Sequence, residues 1–297
     1  MDDTTKQTIV GEVETACRPL REFCAVVVDI ESGEPGSGVW LKIGQKIFIA
    51  TAGHIVRSNP NGKVWVLKKS GAYMEDGFPS YVNWNKIDDG SVDIGYLELN
   101  PAVANQYFSG LNFVSISQLH DAGIGRSRKL HGIVGAPRQD VQTWERTELV
   151  RGNPGNVRTV QFSVITYLCD VLPMNEWPQV LSGSYHPDGQ SDMLIEYPSG
   201  KRQSIPPFDM ESPPLTPPHG MSGGGIWDFG IETGELWNPE LCRLVGIQHS
   251  FSPQQEIARG TQISHLVSLI ESDYPDLRNE INAWKSLQLA DGTNSTS

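Results

Sequence analysis

Basic residues are scarce in this 297-residue chain: 23 lysines and arginines face 35 aspartates and glutamates, a formal charge of −12. That deficit argues against nucleic acid, whose binding needs clustered Lys and Arg to displace counterions. It argues equally against an anionic membrane surface. Long apolar runs are missing too, and no stretch approaches the ~18 residues of a spanning helix. The opening Met1-Asp2-Asp3-Thr4-Thr5-Lys6 lacks the basic and apolar regions of a signal peptide, so a cytoplasmic protein is expected. Cysteine is limited to Cys17, Cys24, Cys169 and Cys242, with no CxxC spacing. These are expected to be reduced and partly buried, a Cys17–Cys24 bridge being the lesser alternative. Together with seven histidines they form no close ligand pairs, so neither a metal nor another cofactor is expected. There is no internal repeat and no βαβ alternation, which counts against a doubly wound sheet.

What is present is short apolar alternation between prolines and glycines. Gly36 to Ile43 reads as a strand, and a turn at Gly44-Gln45 leads into Lys46 to Ala50 as a hairpin. Val64 to Leu67, Asp93 to Leu99, Lys129 to Val134, Thr159 to Leu168, Met193 to Tyr197, Ile226 to Phe229 and Leu244 to Gln248 continue the pattern. Many short strands at this spacing predict an antiparallel sandwich or barrel. Helical periodicity appears only near the end, over Thr261 to Glu271 and again over Asp276 to Leu287, and Ala290 to Ser297 read as a frayed tail. Two segments read as long loops, Pro173 to Asp192 and the proline-rich Pro198 to His219. The second leads into Gly220-Met221-Ser222-Gly223-Gly224, either as a stiff surface connection or as one wall of a substrate cleft.

Three residues in chain order suit a hydrolytic triad. His54 closes the apolar run Ile47-Phe48-Ile49-Ala50-Thr51-Ala52-Gly53-His54, Asp93 stands directly before Ile94 to Leu99, and Ser222 lies among glycines. A serine hydroxyl needs an imidazole to take its proton and a carboxylate to hold that imidazole in one tautomer. It also needs donors for the oxyanion, which the backbone N–H groups of Gly220 and Ser222 can supply. Each residue alone has a plain structural reading: a turn serine, a core histidine, a capping aspartate with Asp88 and Asp89 as neighbours. Their joint order and setting favour the triad.

Thr51-Ala52-Gly53-His54, Asp93-Ile94-Gly95 and Gly220-Met221-Ser222-Gly223-Gly224 resemble the three signatures of the chymotrypsin/trypsin-like serine peptidases, usually TAAHC or TAGHV, DIAL, and GDSGG or GNSGG. Separations of 39 and 129 residues are similar to the family's. Gly36-Ser37-Gly38-Val39 resembles the GSG strand of its bacterial HtrA-like members, and no PDZ-like domain follows. His131 to Pro137 resembles the segment opening the second barrel, and Val245-Gly246-Ile247 the strand beside the specificity pocket. The resemblance covers about residues 23 to 272. It implies an all-β fold of two six-stranded antiparallel Greek-key barrels with a C-terminal helix. The first barrel, 23–128, would carry His54 and Asp93, and the second, 129–260, would carry Ser222; segments 1–22 and 261–297 flank them. It implies a serine endopeptidase acting through an acyl-enzyme on a protein or peptide substrate. It also implies substrate contacts at Thr216, His219, Gln248, His249 and Ser250. With no carboxylate at Thr216, cleavage after Lys or Arg is not expected, and polar, acidic or small residues are. His249 alternatively faces the triad and supports Asp93.

There are departures from the family. Met221 replaces the aspartate that receives a freshly cut N-terminus in secreted members, and the Ile-Val-Gly-Gly activation sequence and the disulfides are missing. The oxyanion loop therefore either forms unaided or waits for an activating partner protein. An α/β-hydrolase also uses G-x-S-x-G, but needs a strand before the serine, whereas prolines 213, 214, 217 and 218 precede it here. A catalytically idle, protease-like binding or regulatory module is the non-enzymatic alternative.

Overall fold

The computed structural model describes residues 17–29, 34–57, 64–67, 79–84, 92–102, 104, 110–121, 130–138, 141–150, 153–181, 185–199, 217–230 and 239–294. The first sheet comprises β1 (Cys24–Asp29), β2 (Pro35–Ile43), β3 (Lys46–Thr51), β4 (Val64–Leu67), β5 (Pro79–Trp84), β6 (Gly95–Leu99) and β7 (Val114–Ser115). Its order is β4-β1-β2-β3-β6-β5, all antiparallel, with β7 added parallel to β2. Helix α1 (Gly53–Arg57) follows β3 directly.

The later strands are β8 (Leu130–Gly135), β9 (Gln142–Val150), β10 (Asn153–Gln161), β11 (Ile165–Asp170), β12 (Asp192–Glu196), β13 (Gly225–Asp228), β14 (Arg243–Ser252) and β15 (Ile257–Gln262). Six of them form the second sheet, β11-β8-β13-β14-β15-β12, while β9 and β10 pair only with each other. A bridge between Val171 and Ile195 joins the β11 edge to β12 and closes the second sheet on itself. Helices α2 (Ile263–Asp273) and α3 (Arg278–Asn294) end the chain. This is the chymotrypsin-like, all-β double-barrel architecture with a C-terminal helix.

Strands β2, β3, β6, β12, β13 and β14 are buried on both faces, which explains their nearly continuous apolar sequences. Trp40, Ile49 and Leu97 fill the first barrel, and Ile133, Met193, Ile226 and Val245 fill the second. The opposite faces, with Leu41, Phe48 and Tyr96 from one barrel and Val134, Trp227 and Leu244 from the other, share a third core with α2 and α3. Helix α2 buries Ile263, Leu266, Val267 and Ile270, the predicted stripe. Trp284 of α3 donates its indole N–H to the Leu119 carbonyl at 2.8 Å.

Several local expectations shift. Strand β3 stops at Thr51, and His54 sits on α1 rather than at a strand end. The expected strand Thr159 to Leu168 is two, β10 and β11, separated by residues 162–164. Helix α3 runs on to Asn294, through much of the expected tail. All four cysteines are buried and none is in a disulfide, so Cys17 and Cys24 form no bridge. Asp88, Asp89, Thr216 and most of the proline-rich loop lie outside the described residues.

Candidate active site

The carboxylate of Asp93 holds His54 at two points. Its Oδ1 accepts the His54 backbone N–H at 2.7 Å, which caps the first turn of α1, and its Oδ2 lies 2.7 Å from His54 Nδ1. A ring held at Nδ1 by a carboxylate keeps Nε2 as its proton-accepting atom. Asp93 is itself anchored across the barrels, since its backbone N–H donates to Thr261 Oγ1 of β15 at 3.3 Å. Burial alone would raise the Asp93 carboxyl, but the His54 hydrogen bond and the neighbouring imidazoles outweigh it and bring it to about 2.

Ser222 lies on a turn whose shape depends on glycine. Met221 N–H donates to the Pro218 carbonyl at 3.0 Å, and Gly220 between them has φ +87°. A Cβ on Gly220 would come within 2.5 Å of the Arg138 nitrogen, and one on Gly223 within 1.9 Å of the Ser37 carbonyl oxygen. Ser37 of β2 clamps this turn from the first barrel. Its N–H donates to the Ser222 carbonyl at 2.7 Å, and its hydroxyl donates to the Gly220 carbonyl at 3.0 Å.

Orientation of the 219–220 peptide decides whether an oxyanion could be bound. The His219 carbonyl accepts from Arg138 N–H at 2.6 Å. In a trans peptide the following N–H points the opposite way, so that of Gly220 is turned away from Arg138. Among the described residues neither Gly220 N–H nor Ser222 N–H donates to a protein acceptor. Met221 is fully buried, with the Tyr197 hydroxyl 3.8 Å from its sulfur, so the turn has an apolar anchor beside Ser222.

The Ser222 hydroxyl donates to the His249 carbonyl at 3.1 Å, and among the described residues it makes no hydrogen bond to His54. His249 thus touches both halves of the site, because its Nδ1 also lies 3.7 Å from Asp93 Oδ2. A β-bulge between Gln248 and Ser250 turns its side chain inward. Gln248 and His249 are both buried, at 1% and 3% exposure, and end the continuous buried run of β14 that begins at Leu244. Burial, reinforced by the Arg259 charge, depresses the His249 imidazole to about 3. It is therefore neutral at ordinary pH, and offers Asp93 a ring dipole rather than a charge.

Of the other expected contacts, His219 is exposed, and Gln248 donates its amide to the Ser250 carbonyl at 3.1 Å while its buried Oε1 has no hydrogen-bond partner among the described residues. Ser250 borders a cavity of about 250 Å³ beside the acid side of the site, whose walls include Arg57, Asp93, Tyr185, Phe251 and Arg259. Sequence reasoning missed Ser37, Thr261 and Arg259, which support the site from other strands. The Gly36-Ser37-Gly38 motif marked the first of these; no local pattern marks the other two. Among the described residues no three His, Cys, Asp or Glu side chains are grouped to hold a metal ion.

No protein-family model and no curated protein sequence matches the chain. Solved structures do. An inactivated protease paralogue of the scabies mite, S-I1, superposes with a TM-score of 0.52 at 14% identity, over 86% of this chain and 95% of that one. The VesB protease of Vibrio cholerae gives a TM-score of 0.47 at 15% identity, over 84% of this chain and 63% of that one. At such identities the likeness to S-I1 is one of fold.

Proposed function

We propose that the chain is a serine endopeptidase. His54 takes the proton of Ser222, Asp93 holds His54 in the productive tautomer, and the N–H groups of Gly220 and Ser222 receive the oxyanion. The observation that carries this reading is the double hold of Asp93 on His54, 2.7 Å at both the ring and the backbone. A carboxylate used only as a helix cap would engage the backbone N–H alone. Attack requires the Ser222 hydroxyl to leave the His249 carbonyl and turn to His54 Nε2. Its proton then passes to the imidazole as the Oγ–carbon bond forms, and later to the leaving amine. The substrate is a protein or peptide, and the Gly36-Ser37-Gly38-Val39 strand supports an affinity with HtrA-like members.

The resting bond from Ser222 to the His249 carbonyl is the observation favouring an idle, protease-like binding module instead. A fluorophosphonate probe separates the two. Labelling at Ser222 that is lost in His54→Ala supports the peptidase; folded protein that resists the probe and cleaves no peptide in a mixed library supports the module. The same library tests specificity, with enrichment of Glu, Gln or small residues before the cut expected and a dominant Lys or Arg preference contradicting it.

A further inference from the structure

Behind the acid of the site lies a chain of polar groups that the peptidase reaction does not itself require. Arg259 on β15 is nearly buried, its side chain 11% exposed. Its guanidinium carbon lies over the Tyr185 ring, 3.8 Å from its centre, and its Nε is 3.3 Å from Oδ1 of the fully buried Asp192. Tyr185 and the Asp188 N–H both donate to the other oxygen of Asp192, at 2.7 and 2.8 Å. The guanidinium is thus fixed in position and direction. Its Nε–H points not at Asp192 but at Nε2 of His249, 3.4 Å away.

That direction settles the chemistry of His249. A nitrogen that accepts a hydrogen bond carries no proton, so the single proton of the neutral ring is on Nδ1. Nδ1 is the atom 3.7 Å from Asp93 Oδ2. A second proton would have to enter at Nε2, where the Arg259 N–H and its positive charge stand in the way.

We propose that Arg259 is a positioning residue of the site. By donating to His249 Nε2 it fixes the neutral tautomer whose Nδ1–H faces Asp93, and so reserves the Asp93 charge for His54. This rests on the peptidase reading for its consequence in turnover, but not for the state of His249. Without Arg259, His249 could become an imidazolium beside Asp93. Two rings would then share one carboxylate, and His54 would be a weaker base. The groups facing His249 are Asp93, His54 and Arg57 from the first barrel and Arg259 from the second, with Asp192, Asp188 and Tyr185 behind Arg259.

The test is Arg259→Met, read by the pH profile of kcat/KM and by NMR titration of ¹⁵N-labelled histidines in the full chain. Because Arg259→Met strands the buried Asp192, the pair Arg259→Met/Asp192→Asn is made alongside it. In the wild type His249 should not titrate above about pH 4; in both variants it should titrate higher by about one pH unit or more, with burial still opposing the charged ring. The acid limb of kcat/KM should then steepen, falling with two protons rather than one below the new His249 titration, while activity near pH 9 stays within about threefold of wild type. An unaltered His249 titration, or a loss of activity equal at every pH, would overturn the proposal. Should the wild type hydrolyse nothing while His249 still titrates only without Arg259, the relay stands and the peptidase reading falls.

Discussion

A serine, a histidine and an aspartate are chemically ordinary until their surroundings constrain them, and here the constraint is most complete at Asp93. Both its oxygens and its backbone nitrogen are engaged, by His54 twice and by Thr261. Ser222→Ala should leave the fold intact and lower turnover by about 10⁴-fold or more, because a triad acts as a unit. A variant that keeps appreciable hydrolysis would identify another nucleophile. Asp93→Asn should cost about as much through the wrong imidazole tautomer. The same substitution has a signature in stability. A carboxyl at about 2 in the folded protein lies below its unfolded value. It therefore adds stability that is complete above about pH 4 and is lost as the pH falls from about 4 to about 2. The stability gap between wild type and Asp93→Asn should narrow over that window in chemical denaturation; a gap constant with pH would show that Asp93 is not held as described.

At the scale of the element, the turn 217–224 carries the proposed nucleophile Ser222 and the proposed oxyanion donors. Its two controls are the left-handed Gly220 and the buried Met221. Gly220→Ala should lower kcat by about 10²–10³-fold, the usual cost of an oxyanion donor, since its Cβ would collide with the Arg138 backbone. Met221→Ala should open a cavity beside Tyr197, cost about 3 kcal/mol of stability and also lower kcat as the turn loosens. Thermal unfolding and steady-state rates, measured on both, would contradict this if Met221→Ala melted earlier but turned over at the wild-type rate. The serine and histidine motifs were legible in the sequence because small residues crowd where backbone must approach closely. The place of His249 beside Asp93 was less so, since on a strand buried on both faces alternation does not say which side chain faces the triad, and a bulge shifts the register there. Strand β9 and the first part of β10 were missed because Gln142-Thr143-Trp144-Glu145-Arg146 and Asn153-Pro154-Gly155-Asn156 lack apolar alternation, and the two strands pair only with each other. Thr261 meets Asp93 across the barrel interface, 168 residues away, and Arg259 reaches His249 from the neighbouring strand β15; no local pattern marks either contact.

On the scale of the whole molecule, the site exists because two barrels are held in one register, and that register is set by shared contacts rather than by disulfides. Phe48 and Tyr96 from the first barrel and Trp227 and Leu244 from the second occupy one core, which α2 and α3 cover with Leu266, Ile270, Ile281 and Trp284. Polar ties reinforce it: Tyr274 donates to Glu98 at 2.9 Å, and Trp284 to the Leu119 carbonyl. Such a core predicts that the barrels unfold together, as one cooperative unit. Trp284→Ala removes a large buried side chain and strands the Leu119 carbonyl, so it should cost about 3–5 kcal/mol. For a chain of this size that corresponds to a fall in Tm of roughly 10 °C. Calorimetry should show one transition in the wild type and one, lower, in the variant. If instead a single barrel melted early while the other kept its transition, the helices would be covering only one of them, and the triad, whose acid and serine come from different barrels, would have to be held together by the Ser37 and Thr261 contacts alone.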